Sequence, residues 1–447
     1  MKSIAITFLC AFSIAVNAQN NTPTFTTSGK QILDPCGNAF IPKGLNYSLA
    51  DDWDFPNNLN SGSGFENAEL SSEIIKANPN TVRIQWYAHR QAGWAAYDIS
   101  DLDSVISRFS RADIVSVLEL HDMTGMFDSA AFVTTILDWW TSPEVVSLLN
   151  KHESHIILNI ANEYGPVKYP ASLNYQLDPQ YDSKILKWVN HMTTAIRTLR
   201  DADITVPIMI DAPNWGHAVE VLLAHGTTWH DADALNRIVL SAHAYWSEDT
   251  NQDILNKITA INVFNLPIIL GEVAAYGEPC PETTVDLETI LGHAQNNDIG
   301  WLAWTWSDDY CMQRRLASGP AGLFNNLTAS GNLVVNNPAF GLAQHAVKAC
   351  FQPSTSINTP EHTDLIYTIA PNPAHDHITL TFQKHLEGGV TIMLTDITGR
   401  AIAMNAIRSI SPNTYTVQLP SNNAKGLYLV HINVEDQGRF VSKIIVR

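Results

Sequence analysis

Two glutamates in this chain each follow an apolar run of strand length. Ile156-Ile157-Leu158-Asn159-Ile160-Ala161 leads into Asn162-Glu163, and Ile268-Ile269-Leu270-Gly271 leads into Glu272. Aliphatic runs of this kind suit strands buried on both faces, as in a parallel sheet covered by helices. A carboxyl at the carboxyl end of such a strand lies where barrel folds place their chemistry. Two carboxyls facing each other over a cleft are what glycosidic cleavage requires: one, protonated, helps the leaving oxygen depart, and the other, ionised, attacks the anomeric carbon. At a separation of about 5–5.5 Å the outcome is a covalent intermediate and retained configuration. The two environments must then differ. Arg83 is the candidate to hold Glu272 ionised, with a further hydrogen bond from Tyr245. Asn162 is the candidate partner of the sugar 2-hydroxyl, while His121 and His243 either line the subsite or tune Glu163.

The elements that position these residues are eight short apolar runs, most of them separated by a helical pattern: Ile41–Asn46, Thr81–Trp86, Ile114–His121, His155–Glu163, Val206–Ala212, Arg237–His243, Leu266–Glu272 and Gly300–Ser307. Intervening helices are expected around Ser71–Ala77, Leu102–Arg108, Ser183–Arg200 and Val285–Asn296. Strand alternating with helix eight times predicts an α/β fold of the (β/α)8 (TIM) barrel type. Six of the runs finish in polar or ionisable residues: Arg83 with Gln85, His121-Asp122, Asn162-Glu163, Asp211, His243 with Tyr245, and Glu272. Their opposite ends show no such concentration, so one site at the carboxyl face is expected. By strand alternation Glu119 shares the barrel interior with His121, and an interior carboxylate needs a partner, for which Arg83 is the expectation. A short hairpin is expected over Thr27–Ile41.

The 447 residues divide into a signal peptide (1–18), the barrel (19–350), a Ser/Thr/Pro linker (351–364) and a small all-β sandwich (365–447). Lys2, the apolar Ile4–Val16 and Val16-Asn17-Ala18 make up the signal and its cleavage site. Its removal leaves Cys36, Cys280, Cys311 and Cys350, with pairings Cys36–Cys350 and Cys280–Cys311 expected in an exported protein. A formal charge of −18 repels nucleic acid and anionic membranes and favours a neutral ligand. Trp53, Trp86, Trp94, Trp215 and Trp246 are candidate rings for stacking on sugars. His152-Glu153-Ser154-His155 lacks zincin spacing and Asp51-Asp52-Trp53-Asp54 lacks a calcium-loop pattern, so neither metal nor cofactor is expected. No transmembrane segment follows the signal, and a monomer is expected.

The large domain resembles glycoside hydrolase family 5. The resemblance rests on Asn80-Thr81-Val82-Arg83-Ile84, Leu118-Glu119-Leu120-His121-Asp122-Met123-Thr124-Gly125, Asn159-Ile160-Ala161-Asn162-Glu163-Tyr164-Gly165, Ile210-Asp211-Ala212-Pro213-Asn214-Trp215-Gly216, Ser241-Ala242-His243-Ala244-Tyr245, Gly271-Glu272 and Gly300-Trp301-Leu302-Ala303-Trp304-Thr305-Trp306. It implies Glu163 as acid/base and Glu272 as nucleophile, with Arg83, His121, Asn162, His243, Tyr245 and Trp304 around the sugar at the point of cleavage. Three of these stretches look most like the bacterial β-mannanase branch, which implies an endo-acting retaining enzyme on β-1,4-mannan. The runner-up is a cellulase of the same family, and a non-catalytic surface glycan-binding protein is the alternative from another class. Tyr164 departs from the family, which usually has proline there and in the mannanase branch often tryptophan, so it is expected to bear on substrate choice. The tail, with Ala370-Pro371-Asn372-Pro373-Ala374, Thr395-Asp396-Ile397-Thr398-Gly399-Arg400 and Gly426-Leu427-Tyr428-Leu429-Val430, resembles the C-terminal sorting domain of type IX secretion. That implies the type IX machinery as a partner and a secreted or cell-surface location.

Overall fold

A computed structural model describes residues 23–47, 68–88, 98–247, 249–274, 285–306, 311–313, 322–351, 367–383, 390–396, 401–402, 406–411, 413–419, 425–434 and 438–447. The expected signal, most of the linker, Cys280, Trp53 and Trp94 lie outside the described residues. The chain forms two compact units, residues 1–353 and 354–447.

In the first unit eight parallel strands close into a barrel: Lys43–Tyr47, Thr81–Trp86, Val115–Leu120, Ile156–Asn159, Ile208–Asp211, Ile238–His243, Ile268–Val273 and Trp301–Ala303. Each pairs with its sequence neighbours and the eighth returns to the first. Alternation sorts their side chains into two cores. Val115, Val117, Ile157, Met209, Val239, Ile269 and Leu302 fill the barrel, while Val82, Ile84, Leu118, Leu158, Ile210 and Leu240 face the surrounding helices. The helices carry local start signals. Asp98 caps Ile99–Arg111 and Thr250 caps Asn251–Val263, each in a capping box with an aspartate at the third helical position.

Where a hairpin is expected, three short antiparallel strands form instead: Thr26–Ser28, Gln31–Leu33 and Ala39–Phe40. Phe25, Ile32 and Phe40 join the barrel-interior core, closing the end opposite the site. The second unit contains two four-stranded antiparallel sheets. Ile378, Leu380 and Val417 of one sheet share a core with Ile392, Leu394, Val430 and Ile444 of the other, which is sandwich packing.

Cys36 and Cys350 form a disulfide across a sequence separation of 314. The Asp34 carboxylate accepts hydrogen bonds from both cysteine backbones, Cys36 N–H at 3.0 Å and Cys350 N–H at 2.9 Å. The bridge closes a very long loop, so its removal frees much chain entropy in the unfolded state. The double variant Cys36→Ser/Cys350→Ser is expected to lose about 2–5 kcal/mol of stability by urea denaturation. An unchanged midpoint would show that the bridge adds nothing to the packed plug.

Candidate active site

The alternation that buries Val115 and Val117 also turns Glu119 inward, and the same rule turns in Thr81, Arg83 and Gln85, then Asn159, Asp211 and His243. Glu272 breaks the rule. Ile269 faces the interior and Leu270 the helices, so strict alternation would turn Gly271 inward and Glu272 out. A bulge intervenes: Ile269 pairs with Ser241 and Leu270 with Ala242, but the next partner of His243 is Glu272. The extra residue re-aims Glu272 into the barrel mouth. A Cβ on Gly271 would lie 2.1 Å from Ser241 Oγ, so the bulge residue has no room for a side chain. Glu163 reaches the same mouth by another irregularity, a left-handed backbone with φ of 48°.

Arg83, with no solvent exposure, is the hub. Nη1 donates to Glu272 Oε1 at 2.7 Å and to Asn46 Oδ1 at 3.0 Å; Nη2 donates to Asn162 Oδ1 at 2.8 Å and Asp211 Oδ2 at 3.1 Å; Nε donates to Asn159 Oδ1 at 3.0 Å. Glu119, as expected from alternation, lies 3.6 Å from Nη1 and accepts from His121 Nδ1 at 2.9 Å. Burial works against the guanidinium charge, but Glu119, Asp211 and Glu272 outweigh it and keep it charged. Burial likewise raises the Asp211 carboxyl, yet His243 and Arg83 hold it well below the usual carboxylate range.

Glu272 accepts a second strong bond, from the Tyr245 hydroxyl at 2.7 Å. Burial raises its carboxyl, His243 and Arg83 oppose the rise, and Glu163 adds to it. His243 stands between the two glutamates, with Nδ1 2.7 Å from Glu163 Oε1 and 3.5 Å from Glu272 Oε2. Burial favours the neutral imidazole, but Glu272 and Asp211 push it up to about 10, so at neutral pH its Nδ1–H donates to Glu163. Oxygen and nitrogen atoms of Glu163, His243 and Glu272 lie within 4.8 Å of one another, a spacing that could also hold a metal ion. Arg83 already supplies the positive charge there, and both Glu272 oxygens accept from protein donors.

His121 and Trp304 stack at the rim, with ring centroids 6.1 Å apart. Asn162 is almost wholly engaged inside the protein: besides Arg83, its Nδ2 donates to Thr124 Oγ1 at 3.0 Å. Trp215 is 44% exposed beside the cleft, and the carbonyl of the next residue, Gly216, accepts the His243 N–H at 2.8 Å. Trp86 and Trp246, candidates for sugar stacking, are instead packed in the helix-facing core. Tyr164 is also turned from the cleft. It stacks on Phe132 at 4.3 Å and its hydroxyl donates to the Asp128 carbonyl, so its departure from the family changes helix packing. Sequence reasoning missed Asn46 and Asn159 as Arg83 acceptors and His217 as a ring stacked 6.2 Å from Tyr245. Interior parity on their strands was the available signal for the two asparagines.

Comparison with known proteins adds independent information. The family model described as Cellulase (glycosyl hydrolase family 5) matches residues 43–310, and the one described as Secretion system C-terminal sorting domain matches residues 368–447. A mannan endo-1,4-beta-mannosidase of Cellvibrio japonicus is 29% identical over 74% of this chain and 70% of its own length. A protein of Caldicellulosiruptor saccharolyticus described as beta-mannanase/endoglucanase A is 30% identical over 48% of this chain and 15% of its own. The solved catalytic domain of a mannanase from Streptomyces sp. SirexAA-E superposes with a TM-score of 0.56 at 25% identity, covering 77% of this chain and 99% of that one.

Two variants test the geometry. Arg83→Met removes one of the counter-charges beside buried Asp211, Glu119 and Glu272 and is expected to cost about 3–5 kcal/mol. The Glu272 carboxyl, already raised by burial and by Glu163, then titrates higher still above its unfolded value, so the cost grows as pH rises above about 4. Urea denaturation should therefore show a larger deficit at pH 7.5 than at pH 5; the reverse order would contradict the charge assignment. Gly271→Ala is expected to lower kcat at least tenfold by displacing Glu272, with Ser241→Ala in the same chain restoring most of it. A double variant as impaired as the single would rule out the close approach as the cause.

Proposed function

The chain belongs to glycosyl hydrolase family 5, and on that premise we propose that it hydrolyses β-1,4-linked mannan within the chain, with retention at the anomeric carbon. The reading rests on one distance: one carboxylate oxygen of Glu163 and one of Glu272 lie within 4.8 Å of each other. That suits the roughly 5–5.5 Å separation of retaining enzymes and is too close for the roughly 6.5–9.5 Å that leaves room for an inverting water.

Glu272 accepts from two donors, Arg83 and Tyr245, which suits it to the role of nucleophile, and Glu163, bonded to His243, takes the role of acid and base. In the first step a Glu272 oxygen attacks the anomeric carbon, the glycosidic C–O bond breaks, and Glu163 gives its proton to the leaving oxygen. In the second, Glu163 takes a proton from water as that water attacks the anomeric carbon, and Glu272 departs as a carboxylate. Arg83 and Tyr245 position the nucleophile; Trp304 and His121 flank the sugar, with Asn162 reaching its 2-hydroxyl and Trp215 offering a ring to the neighbouring unit. Mannan is favoured by the relatives' activities, and a β-1,4-glucan is the second reading because one relative is described as both mannanase and endoglucanase. The sorting domain supports release from the cell or display at its surface.

Glu163→Ala and Glu272→Ala should each remove nearly all reducing-sugar release, assayed in parallel on mannan, carboxymethyl cellulose and xyloglucan. Proton NMR of fresh products should show the β-anomer first. Initial α-product, or a glutamate variant near wild-type turnover, would refute the mechanism; cellulose turnover without mannan turnover would refute the substrate.

A further inference from the structure

We infer that Asp211 is a positioning residue for Glu163, acting through the Glu163 backbone; the inference rests on the reading of Glu163 as the proton donor. Glu163 holds a φ of 48°, a left-handed conformation that non-glycine residues rarely adopt and that must be held by its surroundings. Two fastenings flank it. The Glu163 carbonyl accepts the Gly125 N–H at 3.2 Å, from the loop after the third barrel strand. The Glu163 N–H donates to Asp211 Oδ2 at 3.3 Å, from the end of the fifth strand. Asp211 is itself fixed, with Oδ1 accepting from Asn159 at 3.2 Å and Oδ2 from Arg83 at 3.1 Å, and it is 3% exposed. Both of its carboxylate oxygens are taken up by protein donors.

Asp211 also meets Arg83 and approaches His243 Nε2 at 3.5 Å, and His243 in turn holds Glu163; Asp211→Asn, which removes the charge but keeps an acceptor for the Glu163 N–H, separates those routes from the backbone one. Arg83 retains Glu272, Asn46, Asn159 and Asn162 as acceptors when Asp211 is removed. The Glu163 N–H, in contrast, has Asp211 as its acceptor. A fault in Asp211 therefore falls first on the turn that aims the acid. Held loosely, Glu163 would relax toward an ordinary backbone and swing its carboxyl away from the leaving oxygen.

An acid placed through Asp211 matters only when the leaving group needs a proton. The test compares kcat/KM on the polysaccharide with kcat/KM on a 2,4-dinitrophenyl β-bioside of the same sugar, whose phenolate leaves unaided. Asp211→Ala is expected to fall about 10- to 100-fold on the polysaccharide, within the range general acid catalysis supplies, and less than about threefold on the dinitrophenyl substrate. Asp211→Asn, whose amide oxygen can still accept the Glu163 N–H, should recover much of the loss, and it carries the comparison if the alanine variant melts below the assay temperature. Equal losses on both substrates, or none on the polysaccharide, would overturn the inference. Glu163→Ala is the control. If it shows the selective loss and Asp211→Ala does not, only the inference fails; if Glu163→Ala loses both substrates equally, the assignment of the acid fails first.

Discussion

The guanidinium of Arg83 is a full charge with no solvent contact, and burying it without partners would cost several kcal/mol, a large share of a domain's net stability. Its acceptors come from Asn46 on the first strand, Asn159 and Asn162 on and after the fourth, Asp211 on the fifth and Glu272 on the seventh, with Glu119 on the third as a further counter-charge. One flat cation therefore sets the distance between strand ends that are far apart in sequence. Three carboxylates and two histidines gather around it. The chemistry of the mouth and the closure of the barrel are in that sense one requirement.

Regular strands cannot aim all the groups that this mouth needs. Interior parity delivers Arg83, Glu119, Asn159, Asp211 and His243, all of them supporting residues. The two glutamates arrive by exceptions: a bulge at Gly271 for one and a left-handed residue for the other. Both exceptions depend on neighbours. The bulge fits because Gly271 has no side chain to meet Ser241, and the left-handed turn is held by Asp211 and Gly125. On the proposed mechanism, support is built from regular elements and reactivity from irregular ones, which is where local strain is commonly stored.

This division explains what was legible in the sequence. The eight strands, the sandwich and the meeting of Arg83 with Glu119 follow from a period of two, which each segment carries within itself. The Tyr245–Glu272 contact was also legible, since both follow adjacent strands. The bulge was not, because it is decided by Ser241 on another strand. The outward turn of Tyr164 was hidden for a similar reason: its partner Phe132 lies in a preceding helical segment that no local pattern connects to it. Trp86 looked like a sugar platform by its place at a strand end, but alternation from Val82 and Ile84 already put it on the helix side.

The disulfide joining Cys36 to Cys350 has a mechanical meaning as well. Tension applied to the chain beyond Phe351 enters the first unit at Cys350 and passes through sulfur to Cys36. The load is thus shared between the first and last segments of the barrel unit. Neither end can be peeled away by itself, and a pull must shear the plug and the closing strands together.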